Sequence, residues 1–175
     1  MEKEYHGNHA INILVGVIGL LFFIVGTLIP GSPFQKYFFL VGAILLTISS
    51  YLEKNVFFTV LEAIVTIGAI LTFLSLSNIT IAVITFIIVI ITVLYFAAKG
   101  LFKERYLIIG TIGLFFLAIG VGTLNPIAYT IGGFFLTIYA YFSFKKGYQI
   151  ALLFIILNSI FTITSAIGAY QWLTG

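Results

Sequence analysis

Glu62 is the one carboxylate of this chain that falls well inside an apolar stretch. On a helix it would sit on the order of 10 Å past the polar edge at Asn55. A charge at that depth in a bilayer costs several kcal/mol unless it is paired, hydrated or protonated. Asn158 holds the matching place in the last apolar stretch. Each is followed one turn later by a threonine, Glu62 by Thr66 and Asn158 by Thr162, and a spacing of four sets each pair on one helix face. Ser165 extends the second stripe. Thr47 with Tyr51, and Thr137 with Tyr141, repeat the spacing elsewhere. If these stripes converge, a carboxylate, an amide and several hydroxyls would offer a site for a small polar solute or a proton, and Glu62, Asn158, Thr66, Thr162, Tyr51 and Tyr141 are its expected members. The alternative is structural: Thr and Ser bond their own helix carbonyls, and Glu62 holds a neighbouring helix.

Catalytic chemistry finds little support. No Gly-rich phosphate loop follows a strand, no His lies in an apolar run, and Glu62 has no second carboxylate for acid–base work. A serine nucleophile would lack a base, so no catalytic residue and no enzyme activity are expected. The absence of cysteine removes disulfides and thiolate metal sites. His6 and His9 are three apart, but Gly7 and Asn8 weaken a helix there, so a solvated tail is expected rather than a metal site. No cofactor is expected.

Hydrophobic residues make up 62% of the chain and charged ones 7%, with a mean hydropathy of +1.24, a composition that excludes soluble and disordered classes. The basic residues form no patch of the kind nucleic acid requires. Breaking the text at charges and at Gly, Pro and Asn clusters predicts seven spans of roughly 20 residues: 10–29, 35–53, 55–75, 79–98, 105–124, 127–144 and 148–172. The second is the weakest, with Lys36 and Lys54 snorkelling at its ends. The first is expected to remain uncleaved. Loops this short make neighbours antiparallel and leave no room for a soluble domain. The fold class is therefore all-α, a polytopic membrane protein in contact with the lipid bilayer; the composition leaves a homo-oligomer open.

With seven spans, Lys3, Lys54, Lys99, Lys103, Arg105, Lys145 and Lys146 share one side and Lys36 stands alone on the other. This positive-inside bias puts the N-terminus in the cytoplasm and residue 175 outside, in a plasma or inner membrane. Tyr170 and Trp172 then lie at the outer interface, and Lys99, Lys103 and Arg105 act as topology signals and anionic-lipid contacts. A reporter fused after Gly175 is expected to read out as non-cytoplasmic; a cytoplasmic signal would remove the seven-span topology.

An internal repeat is also legible. One fixed shift lays Gly16, Gly19, Leu20, Phe22 and Gly26 on Gly110, Gly113, Leu114, Phe116 and Gly120. A slightly larger one continues with Thr27, Leu28 and Pro30 on Thr123, Leu124 and Pro126. Further on, Gly42, Thr47 and Tyr51 fall on Gly132, Thr137 and Tyr141, and Leu61, Glu62 and Thr66 on Leu157, Asn158 and Thr162. The glycine triplets form small-residue stripes suited to close helix packing. The chain divides into a three-helix repeat at 1–76, a linker helix and loop at 77–104, and a second repeat at 105–175. The linker at 79–98 adds the crossing that makes the halves parallel, and solute sites in such folds lie near midplane at the repeat interface.

This arrangement resembles the three-plus-one-plus-three transporters, the SWEET sugar transporters and the Pnu vitamin-precursor transporters. The ending Gly168-Ala169-Tyr170-Gln171-Trp172 looks like the end of a Pnu three-helix unit. The Pro-Gln dipeptide of the SWEET and PQ-loop group is absent, since Pro30, Pro33 and Pro126 precede Gly31, Phe34 and Ile127. The glycine spacing and Pro30 of the first two spans are similar to hairpin-repeat acid-resistance membrane proteins. The resemblance implies a small transporter or facilitator of a polar solute. Its rivals are a non-transporting scaffold or stress-related subunit and an oligomeric ion channel.

Overall fold

A computed structural model of the chain describes residues 2–53, 56–74, 76–100, 105–147 and 151–174. Its described residues form seven helices: α1 Glu2–Leu28, α2 Gln35–Leu52, α3 Val56–Leu71, α4 Asn78–Ala98, α5 Arg105–Thr123, α6 Pro126–Lys145 and α7 Ala151–Thr174. Six are long and apolar enough to cross a membrane. The protein is thus a multi-pass, membrane-type helical chain.

Two expectations are corrected. The segment before the first span is helical from Glu2 onward, so it does not form an irregular tail; the side chains of His6 and His9 lie outside those described. The third helix has 16 residues, about 24 Å, and ends at Leu71, short of the span predicted to reach 75. Beyond it the N–H groups of Thr72, Phe73 and Leu74 bond the carbonyls three residues back, at Ala69, Ile70 and Leu71. The Thr72 hydroxyl also donates to the Ala69 carbonyl, so the last turn tightens away from α geometry. Residue 75, Lys54, Asn55, Lys103 and residues 148–150 of the expected spans and loops lie outside the described residues.

Turn chemistry sets the other boundaries. Asn125 caps α6 through Oδ1, which accepts from the N–H groups of Ile127 and Ala128, and Pro126 fills the first helical position. Ser77 caps α4 by accepting from the Thr80 N–H. Leu124 closes α5 in the left-handed region at φ 52°, with the Asn125 N–H bonding the Gly120 carbonyl. A leucine there carries a Cβ penalty of about 1 kcal/mol. Because the Leu124 side chain also packs against the core, Leu124→Gly is expected to lower the melting temperature in detergent by about 2 to 4 °C despite that relief; a rise would show that the backbone costs more than the side chain contributes.

The helices close into a ring in the order α1, α2, α3, α5, α6, α7 and back to α1, while α4 lies outside against α3 and α5. The two crossings that involve the glycine stripes are very close. A Cβ built on Gly42 would stand 2.7 Å from the Gly19 carbonyl oxygen, and one on Gly132 would stand 2.7 Å from the Gly113 carbonyl oxygen. Gly26 packs on Phe39 and Gly120 on Tyr129, so α1 runs antiparallel to α2 and α5 to α6. By contrast Phe23 meets Phe161 and Thr27 meets Thr164, which makes α1 and α7 parallel neighbours. The core joins Phe23, Phe39, Tyr129 and Phe161 to Leu61, Val65 and Val121, all buried.

On α4 only the stripe Ile81, Thr85, Val89, Thr92 and Phe96 is buried, and Ile79, Val83, Ile87, Ile91 and Leu94 face outward. Lys36 is placed over the Phe73 ring at 4.8 Å. At the other end Lys145 lies over Tyr141 and Lys146 over Tyr106, each at 4.9 Å. Such lysine–aromatic pairs keep the ammonium at the polar edge while the ring and the stem stay in apolar surroundings.

Candidate functional site

α3 turns Leu61, Ile64, Val65 and Ala69 into the ring, and Glu62 goes with them because it stands one turn before Val65 and two before Ala69. Its side chain is 8% exposed, and its Oε2 atom has no hydrogen-bond partner. Among the described residues the other buried orphans are two hydroxyls, Thr85 Oγ1 and Ser143 Oγ. A hydroxyl can rotate toward a carbonyl of its own helix, whereas a carboxylate two turns into a helix has no such recourse.

Glu62 and Asn158 line one cavity of about 30 Å³ in the middle of the ring. They are its polar members. Phe23, Phe58, Phe154 and Phe161 form its aromatic walls, and Leu20, Leu46, Leu117 and Leu136 complete it. None of these side chains is cationic. A space of this size suits a water-sized body.

Aromatic contacts flank it on two sides. One turn before Glu62 and Asn158, Phe58 and Phe154 stack with centroids 5.7 Å apart and planes at 15°. Towards the other end Phe23 meets Phe161 edge-on at 6.0 Å, and Phe39 meets Tyr129 at 5.4 Å. Gln35 Nε2 donates to the Tyr129 hydroxyl at 3.2 Å in a buried setting, and the Gly31 N–H donates to Gln35 Oε1. Polar side chains thus back the second closure and rings alone make the first.

The remaining expected members are placed elsewhere. Thr66 Oγ1 donates to the Glu62 carbonyl and Thr162 Oγ1 to the Asn158 carbonyl, and neither lines the cavity. Thr47 and Thr137 likewise bond the carbonyls of Ala43 and Gly133. The Thr47 and Thr66 hydroxyls meet at 2.9 Å and link α2 to α3. Tyr51 is 70% and Tyr141 45% exposed, at the ends of α2 and α6, so the expected convergence of these rings on the cavity is corrected to an outward placement. The spacing of four keeps them near the Thr stripe, but the ring has no neighbour to cover them so close to the helix ends.

The phenylalanine walls and the Gln35–Tyr129 bond were not expected. Phenylalanine is too frequent here, at 19 residues, to stand out by type. A usable signal existed, since the shift that lays Glu62 on Asn158 also lays Phe58 on Phe154, and the one that lays Gly42 on Gly132 also lays Phe39 on Tyr129. No protein-family model, no curated protein and no solved structure matches this chain.

Proposed function

We propose that the protein is a small membrane transporter or facilitator that moves a small polar solute or a proton past Glu62 and Asn158. In this reading two parallel three-helix repeats meet at the cavity and α4 supplies the crossing between them. The observation that carries it is the buried, unpartnered Glu62 Oε2 on a small central cavity shared with Asn158. Groups so costly to bury in a membrane chain are expected on transport pathways. Residues at equivalent places in the two halves make like contacts: Gly19 on Gly42 and Gly113 on Gly132, Gly26 on Phe39 and Gly120 on Tyr129. The parallel α1–α7 contact, together with the α3–α5 contact, supports a pseudo-two-fold axis through the cavity. A site between the two repeats fits alternating access, and the N-in orientation follows from the distribution of lysines.

Purified protein in liposomes is expected to give uptake that Glu62→Gln lowers by at least about tenfold, as when an ionic contact worth roughly 1.5 kcal/mol or more is lost. Unchanged flux after Glu62→Gln and Asn158→Leu together would overturn the site. One observation favours a second reading, a non-transporting scaffold: the hydroxyls of Thr47, Thr66, Thr137 and Thr162 each donate to a carbonyl of their own helix. A scaffold would show no flux in any variant, and Glu62→Gln would alter only its thermal stability or its capture of a partner subunit.

A further inference from the structure

From the composition of the cavity wall we infer that its occupant is a small N–H cation, ammonium being the one whose size and donors suit this wall. This deepens the reading of the cavity as a transport site and rests on it. The wall offers one carboxylate oxygen without a partner, one amide, and four phenylalanine rings, and none of its side chains is positive. An anionic occupant would face Glu62 with no compensating charge. A neutral one would require Glu62 to be protonated, because an ionised carboxylate left uncompensated costs several kcal/mol in a membrane interior. A cation removes that cost, and the faces of Phe23, Phe58, Phe154 and Phe161 are electron-rich surfaces that attract cations within about 6 Å.

Size and ligand number then discriminate among cations. The volume of about 30 Å³ admits one water-sized body. A desolvated alkali ion needs a shell of oxygens in place of its hydration water, as carbonyl rings supply in potassium filters. Here two oxygen-bearing side chains line the space. Ammonium needs fewer oxygens: two N–H groups can donate to Glu62 Oε2 and to the Asn158 amide oxygen, and the others can point at ring faces. Glu62 is the titratable side chain of this wall. Two other ionisable side chains touch wall residues, Tyr139 of α6 against Phe58 at 5.3 Å and Tyr129 against Phe161 at 6.4 Å between centroids.

The test is binding, read separately from flux. The melting temperature of the purified protein in detergent is followed against ammonium chloride and, at matched ionic strength, potassium chloride. Stabilisation by ammonium beyond that by potassium is expected, with the apparent affinity falling at least about tenfold in Glu62→Gln. Equal responses to the two salts, or an ammonium response that persists in Glu62→Gln, would overturn the inference. If Glu62→Gln is not monodisperse, Asn158→Leu takes its place, with weakened ammonium binding supporting the inference and unchanged binding overturning it. Ammonium binding without flux in liposomes would retain this site and remove the transport reading. Uptake of another solute with no ammonium binding would do the reverse.

Discussion

Gly132→Val is expected to lower the melting temperature in detergent by roughly 6 to 12 °C, the shift that about 3 kcal/mol gives in a chain of this size. The cause is contact with backbone on every side. A Cβ at position 132 would stand 2.6 Å from the Leu117 nitrogen, 2.7 Å from the Gly113 carbonyl oxygen and 2.9 Å from the Leu117 Cα. No side chain can rotate away to make room, so α5 and α6 must separate along their whole contact. Overpacking by single methylenes already costs about 1 to 3 kcal/mol, and valine adds three carbons. In lipid no hydrophobic force restores the contact, because close van der Waals packing is itself the main source of helix association. Leu14→Val on the exposed face of α1 serves as the control and should leave the melting temperature within about 1 °C. A fall at Gly132 no larger than the control would mean that α5 and α6 do not cross there.

Phe39→Ala is expected to cost about 3 kcal/mol and to loosen the closure of the cavity on the Tyr129 side. The ring is fully buried, 5.3 Å from the Phe23 centroid and 5.4 Å from that of Tyr129. Opposite it lies Gly26, where a Cβ would be 2.7 Å from the Phe39 Cε1 atom, so no side chain is available to fill the void. In soluble cores Phe→Ala costs about 3 to 5 kcal/mol. The transfer part of that figure shrinks in a bilayer, while the lost dispersion contacts remain, which favours the lower end. The functional consequence can be read independently. Since the chain has no cysteine, Glu62→Cys introduces a single thiol. Its labelling by a water-soluble thiol reagent is expected to be slow, and at least about tenfold faster when Phe39→Ala is added, as for an opening made easier by about 1.4 kcal/mol. Equal rates in the two proteins would show that Phe39 does not guard the cavity.

Much of this fold could be read from punctuation. In a membrane chain a helix must satisfy its own backbone and keep charges at its ends, so Pro30-Gly31-Ser32-Pro33, Asn125-Pro126 and Lys145-Lys146-Gly147 mark boundaries that the structure moves by only a few residues. The end of α3 escaped because nothing charged or Gly/Pro-rich stands at Thr72; the turn there is made by hydroxyl and backbone bonds to i−3 carbonyls, while Thr66, a threonine like it, bonds the i−4 carbonyl of Glu62 inside an unbroken helix.

The site was legible to the extent that polarity in lipid is costly. Glu62 and Asn158 drew attention for that reason, and their equal place in the two halves suggested that they meet. Tyr51 and Tyr141 carried the same periodicity yet face outward, because a spacing of four fixes which residues share a face and not which neighbour covers it. The phenylalanines were invisible for the opposite reason. In a bilayer an apolar ring costs nothing wherever it points, so its type does not reveal whether it meets lipid or another ring.

What the sequence determined by itself is the membrane class, the succession of seven helices and the one buried acid, since charge, hydropathy and breakers act locally along the chain. Which helices adjoin was decided by the tertiary structure alone. Gly42 and Gly132 let backbones approach to contact distance, the ring closes with α4 outside it, and only that closure brings Glu62, Asn158 and four phenylalanines around a space the size of one water molecule.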